Sequence, residues 1–150
     1  MRKTFDLPQL WLLAFAVIGW LQARHFSAGL HLGGVFADFL GGLLVGGGVL
    51  LMVLALYEMR RQRTTPMPHA TASQLVTSGI FSRTRNPIYL GDVMILTGLL
   101  LRWDAVLSLP LIPLLMWILE RRYIIAEENR LRRQFRVDYA RYCQKTRRWV

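Results

Sequence analysis

The stretch Arg83-Thr84-Arg85-Asn86-Pro87-Ile88-Tyr89-Leu90-Gly91 places guanidinium groups, a helix-start signal and a phenol where a polar loop meets an apolar segment. Asn is a good N-cap and Pro fits the first helical position, so a helix should begin at Pro87. Its free N–H groups and positive dipole end attract an anion such as a carboxylate. Arg85 sits beside that end, and the Tyr89 hydroxyl donates from the same region. One apolar hairpin later comes Glu127-Glu128. A cation cluster and a carboxylate pair on one membrane face suit a small zwitterion. The bland alternative is a well-made helix entrance plus a Glu128–Arg132 ion pair worth about 0.3 kcal/mol. Against it, Glu127 lies two turns beyond Glu120, with Tyr123 between them on nearly the same face. Acidic groups along a helix emerging from a bilayer are functional candidates by default.

Apolar segments must position these residues. The chain has 150 residues, one domain by length, of which 53% are hydrophobic, yet its formal charge is +10. Its mean hydropathy is +0.30. High apolarity with high basicity fits a membrane protein with cationic cytoplasmic loops. We expect an all-α integral membrane bundle of about four spans near 7–23, 36–57, 87–102 and 104–120, followed by an amphipathic interfacial helix near 121–143. The second segment holds an uncharged run of 19 residues, Phe39–Tyr57, against the roughly 17–25 that a span needs. The third and fourth segments are short and work as a hairpin, with Arg102 snorkelling and Trp103 anchoring at the turn.

Of the 19 Lys and Arg, only Arg24 and Arg102 lie outside the N-terminus, the 58–86 loop and the tail after Leu119. The positive-inside rule then puts both termini and the middle loop in the cytoplasm, in a bacterial inner membrane. The first helix is expected to be retained, since no clean A-x-A cleavage site follows it. Anionic lipid headgroups explain the basic residues more simply than nucleic acid. The single cysteine, Cys143, excludes an internal disulfide and reads as an inert interfacial thiol. No metal site is expected.

In the second segment Gly42 and Gly46 have GxxxG spacing, which lets helices approach closely, internally or in a homo-oligomer. Pro66 and Pro68 break regular helix in the middle loop, and Leu75–Phe81 reads as a tight turn with apolar anchors. His69 lies in the proline-rich part and reads as solvated. Past Leu119, Glu128, Leu131, Phe135, Tyr139 and Tyr142 recur at helical spacing and share one face.

From Thr64 to Trp149 the chain resembles the isoprenylcysteine carboxyl methyltransferase and phospholipid N-methyltransferase type of membrane enzyme. The likeness rests on Pro66, Pro68, Leu75-Val76-Thr77-Ser78-Gly79, Arg85-Asn86-Pro87-Ile88-Tyr89-Leu90-Gly91, Glu127-Glu128 with Leu131, and Phe135, Tyr139, Tyr142 and Arg148. It departs at Asn86, where many members have His, at Phe81 in place of a phenol, and at Arg136 in place of glycine. The resemblance implies S-adenosylmethionine as cofactor. Arg85 and Tyr89, with the backbone at Asn86 and Pro87, would hold its carboxylate. Glu127 or Glu128 would hold its ammonium, and Gly91 would admit close backbone approach. Arg85, Tyr89 and Glu127 thus stand as the catalytic set. Methyl transfer would go to a lipophilic acceptor, a lipid or a small apolar acid or thiol. An amine acceptor would need a base, for which Asp92 or Glu120 is nearest. The alternative is a small non-catalytic four-helix transporter or assembly subunit using Asp38, Asp92 or Glu120. That alternative requires Arg85 and Glu127 to meet each other or solvent, with no cavity between them.

Overall fold

The computed structural model describes residues 6–65 and 72–150. Arg2, Lys3, Pro66, Pro68 and His69 lie outside them. All regular elements among the described residues are helical: α1 (Pro8–His25), α2 (Val35–Arg61), α3 (Pro87–Arg102), α4 (Leu111–Leu119) and α5 (Ile125–Lys145). Short 3-10 turns occupy Gly79–Ser82 and Val106–Ser108, and a π turn, Glu120–Ile124, joins α4 to α5.

Local chemistry sets these boundaries. Pro8 and Pro87 open α1 and α3, where a missing N–H costs nothing. Basic residues occupy the last turns of α1, α2 and α3, where the dipole is negative. Pro110 and Pro113 fall at the start of α4 and interrupt no ladder. Of the four expected spans, length and composition single out α2 alone, and only 17% of its most apolar window is buried. Phe39, Leu43, Leu50 and Val53 stand exposed along it. The helices α1, α3 and α4 have 18, 16 and 9 residues.

Helices α2 and α3 pack directly together, through glycines other than the expected Gly42–Gly46 pair. A Cβ on Gly41 would lie 2.7 Å from the Gly98 carbonyl oxygen, and one on Gly48 would lie 2.7 Å from that of Gly91. Both helices space these glycines by seven, close to two turns, so the contacts recur on one seam. Gly46 meets open space and Gly42 meets only the Arg102 guanidinium. Phe15 of α1, Leu96 and Leu100 of α3, Leu115 and Leu119 of α4, and Tyr123 form the core. At the hairpin end, Asp104 accepts from the Leu32 N–H at 2.7 Å and pairs with His31 Nδ1 at 2.7 Å.

The expected interfacial helix is neither separate nor straight. The π turn carries α4 into α5 without a break. Within α5, Arg136 breaks the helix at φ 43°, ψ −105°. The segment after Arg136 folds back, so Cys143 and Glu128 both reach Arg85.

Candidate functional site

A cavity of about 910 Å³ opens where the N-terminus of α3, the loop before it and the first half of α5 meet. Arg85, Asn86, Pro87, Tyr89, Glu127 and Glu128 all line it. The two halves of the motif, separated by a hairpin in sequence, therefore share one chamber. Its opposite wall is apolar: Met52, Leu56 and Met59 from α2, Leu7 and Pro8 at the start of α1, and Leu75, Val76 and Leu131. Gly91 lies outside this lining. Its missing side chain serves the contact with Gly48 and Met52 of α2.

The residues that meet there have distinct partners. The Tyr89 hydroxyl donates to Glu127 Oε1 at 2.6 Å. Glu127 has no cation within salt-bridge distance among the described residues. Burial pushes its carboxyl above the ordinary value of 4.5, opposed by the Tyr89 hydrogen bond and by Arg130. Glu128 is held otherwise. Arg148 Nε donates to its Oε1 at 2.9 Å and Arg148 Nη2 to its Oε2 at 2.8 Å, a two-point fork. Arg85 Nη2 approaches the same carboxylate at 3.5 Å. The Glu128–Arg132 pair of the bland alternative does not form, and Arg132 instead donates to Asn129 Oδ1 at 3.4 Å.

Arg85 is built in from behind. Its backbone N–H donates to the Arg147 carbonyl at 3.0 Å, and its Nη1 donates to Cys143 Sγ at 2.7 Å. Its Nε is buried without a partner. Cys143 is thus a partner of the site arginine, a role that its position in the sequence does not signal. Asn86 stands at the N-cap position of α3 but does not cap it. Its side-chain amide donates instead to the Arg148 carbonyl at 2.9 Å. No side chain caps the first turn of α3; Pro87 has no N–H and Leu90 bonds the Asn86 carbonyl, which leaves the N–H groups of Ile88 and Tyr89 beside the cavity.

Further side chains pin the surrounding walls, with Glu58, Arg130, Arg133 and Gln134 among those that sequence reasoning gave no role. Ser78 Oγ donates to Glu58 at 2.5 Å and ties the loop to the end of α2. The Tyr142 hydroxyl donates to the Phe81 carbonyl at 2.6 Å. Arg130, Arg133 and Gln134 add polar groups to the lining. Tyr123 stacks at 6.2 Å from Tyr89 and donates to Asp6 at 2.6 Å. Neither expected base lines the cavity. Asp92 is fully buried with both oxygens unpartnered. Glu120 is bound by Arg148 at 2.8 Å and by the Trp149 indole at 3.3 Å.

The donor set fits a zwitterionic ligand. A guanidinium and an uncapped helix start line the cavity together with Glu127, a carboxylate with no cation within salt-bridge distance among the described residues. The non-catalytic alternative required no such chamber between Arg85 and Glu127. Comparison with curated proteins returns no match, and neither does comparison with solved structures. The sequence model of one family, described as phospholipid methyltransferase, matches residues 36–138. That range covers α2, α3, α4 and Glu127-Glu128, and it is well over half of the chain. The chain therefore belongs to the phospholipid methyltransferase family.

Proposed function

We propose that the protein transfers a methyl group from S-adenosylmethionine to a lipophilic acceptor at the cytoplasmic face of a bacterial inner membrane. The observation that carries this reading is the joint presence of Arg85, Tyr89 and Glu127 on one cavity of about 910 Å³. When bound, S-adenosylmethionine supplies a sulfonium methyl group, whose S–C bond breaks as the acceptor nucleophile bonds to carbon and sulfur keeps the electron pair.

The protein's own work is positional. Arg85 and the first N–H groups of α3 hold the carboxylate end. Glu127, oriented by the Tyr89 hydroxyl, holds the ammonium end. Both groups belong to one α-carbon, so holding them anchors the methionine end of the ligand, limits where its sulfonium methyl can lie, and settles part of the entropy of alignment before reaction. The apolar wall of Met52, Leu56, Met59, Leu75 and Leu131 excludes water and receives the acceptor's hydrocarbon. An acceptor that arrives as a carboxylate or thiolate needs no base; of the two carboxylates among the described lining residues, Glu128 is held by Arg148 and Glu127 is not.

The exposed apolar faces of α1 and α2 support a membrane setting. In our reading α1, α3 and α4 cross with α2, the shorter helices thinning the bilayer locally and α4 being prolonged by the π turn and the start of α5. The basic loops put both termini on the cytosolic side, where the cofactor is available. A homo-oligomer would use the open face around Gly46, since Gly41 and Gly48 are already engaged by α3. The test is transfer of labelled methyl from S-adenosylmethionine into an organic-extractable fraction by purified protein in vesicles of bacterial lipid. Label should accumulate with wild type and not with Glu127→Gln. Equal label from both proteins would refute the reading.

A further inference from the structure

The last five residues form a strap across the site. Arg147 and Arg148 offer their carbonyls to the Arg85 N–H at 3.0 Å and the Asn86 amide at 2.9 Å. Thr146 Oγ1 donates to the Ser82 carbonyl at 3.3 Å. The strap thus runs along the residues that enter α3. The family match stops at residue 138, short of all of it.

From this strap the Arg148 side chain reaches two carboxylates, Glu120 through Nη1 and Glu128 through Nε and Nη2. The π turn makes that possible. Eight residues of uninterrupted α-helix would rotate Glu128 about 80° away from Glu120. A π turn absorbs roughly one residue and brings the two within about 20° of one face. A single guanidinium can then bridge them.

Arg148 does not line the cavity, whereas Arg85, Glu127 and Glu128 do. We propose that Arg148 is a positioning residue which occupies Glu128, so that Glu127 and Arg85 are left to bind the ammonium and the carboxylate of the ligand. This rests on the cofactor reading above. Without Arg148, Glu128 has one other cation within reach, Arg85 at 3.5 Å. Glu128 would draw that guanidinium away from a ligand carboxylate. With one cation in place of two, it would also leave more net negative charge beside Glu127. The other groups near Glu127 are the Tyr89 hydroxyl from α3 and Arg130 on α5, and Arg85 lines the same cavity.

The charge argument separates this role from simple packing. A packing role is not repaired by removing a second side chain, whereas a charge role is. S-adenosylmethionine binding is measured by titration calorimetry on the full chain in detergent, across pH. Arg148→Gln should weaken binding by about tenfold or more, and its acid limb should move to higher pH. Arg148→Gln with Glu128→Gln should restore affinity to within about threefold of wild type and return the limb. Arg148→Lys keeps the charge but cannot fork two carboxylates, so its affinity should fall between. It carries the test should Arg148→Gln not fold. Wild-type affinity in Arg148→Gln, or a double variant as weak as the single, would overturn the proposal while leaving the cofactor reading intact. Absence of binding in wild type itself would overturn both.

Discussion

At Glu127 two demands compete. The carboxylate must be charged to hold an ammonium ion, yet burial raises its proton affinity. The Tyr89 hydrogen bond at 2.6 Å favours the charged form and partly offsets burial. Below the midpoint Glu127 is neutral and the ammonium loses its partner, so S-adenosylmethionine affinity should fall as pH drops, with a midpoint above 4.5. Tyr89→Phe removes the offset and should move that midpoint to still higher pH. A calorimetric pH series checks both, and a midpoint at or below the ordinary value, or one that Tyr89→Phe leaves in place, contradicts the assignment. Much of this residue-level site was legible in the sequence. Arg85, Asn86-Pro87 and Tyr89 mark a helix start with cations, and Glu127-Glu128 is a carboxylate pair. The division of labour between the two glutamates was not legible. It rests on the fork from Arg148 to Glu128, a residue that the resemblance marks but whose partner no local pattern reveals.

Among the elements, the α2–α3 seam and the break in α5 make the clearest demands on sequence. Gly98 lies against the backbone of Gly41 and Val45, whereas Gly46 has nothing within 4 Å. Gly98→Ala should force the helices apart and lower the thermal midpoint in detergent. Gly46→Ala should leave it unchanged or raise it, through a helix propensity gain of about 0.5–1 kcal/mol. The reverse order would mean that the seam is placed wrongly. Sequence spacing points to Gly42 and Gly46, because GxxxG is a local pattern. The seven-residue pairs become visible only when two helices are laid against each other. Arg136 sits at φ 43°, in the left-handed region that disfavours a side chain. Arg136→Gly should therefore stabilise the fold by about 1 kcal/mol, read as a higher thermal midpoint with cofactor affinity unchanged. A lower midpoint would contradict the strained turn. The helical periodicity after Leu119 predicts one amphipathic helix and misses both the π turn and this break, since neither interrupts the spacing of apolar residues.

For the molecule as a whole, the distribution of charge carries the topology. The 26–34 loop and the α3–α4 turn are tied together through His31 and Asp104 at one end. The cavity, the arginine-rich tail and the middle loop lie at the other. In a Cys143→Ser background, Ser27→Cys should react with a membrane-impermeant thiol reagent in intact cells, and Gln144→Cys should react only after lysis. The opposite pattern would invert the orientation. Whole-chain composition indicated a basic membrane protein, and the family match confirms the methyltransferase kinship. Length alone could not assign spans, because α1, α3 and α4 are short and depend on one another for burial. The measurement that bears most directly on the account is equilibrium binding of S-adenosylmethionine to the purified protein in detergent, beside Arg85→Ala and Glu127→Gln. Wild type should bind saturably, and each variant should lose about tenfold to a hundredfold in affinity, the worth of one charge-assisted hydrogen-bonded contact. No saturable binding to wild type, or binding that both substitutions leave unchanged, would contradict it.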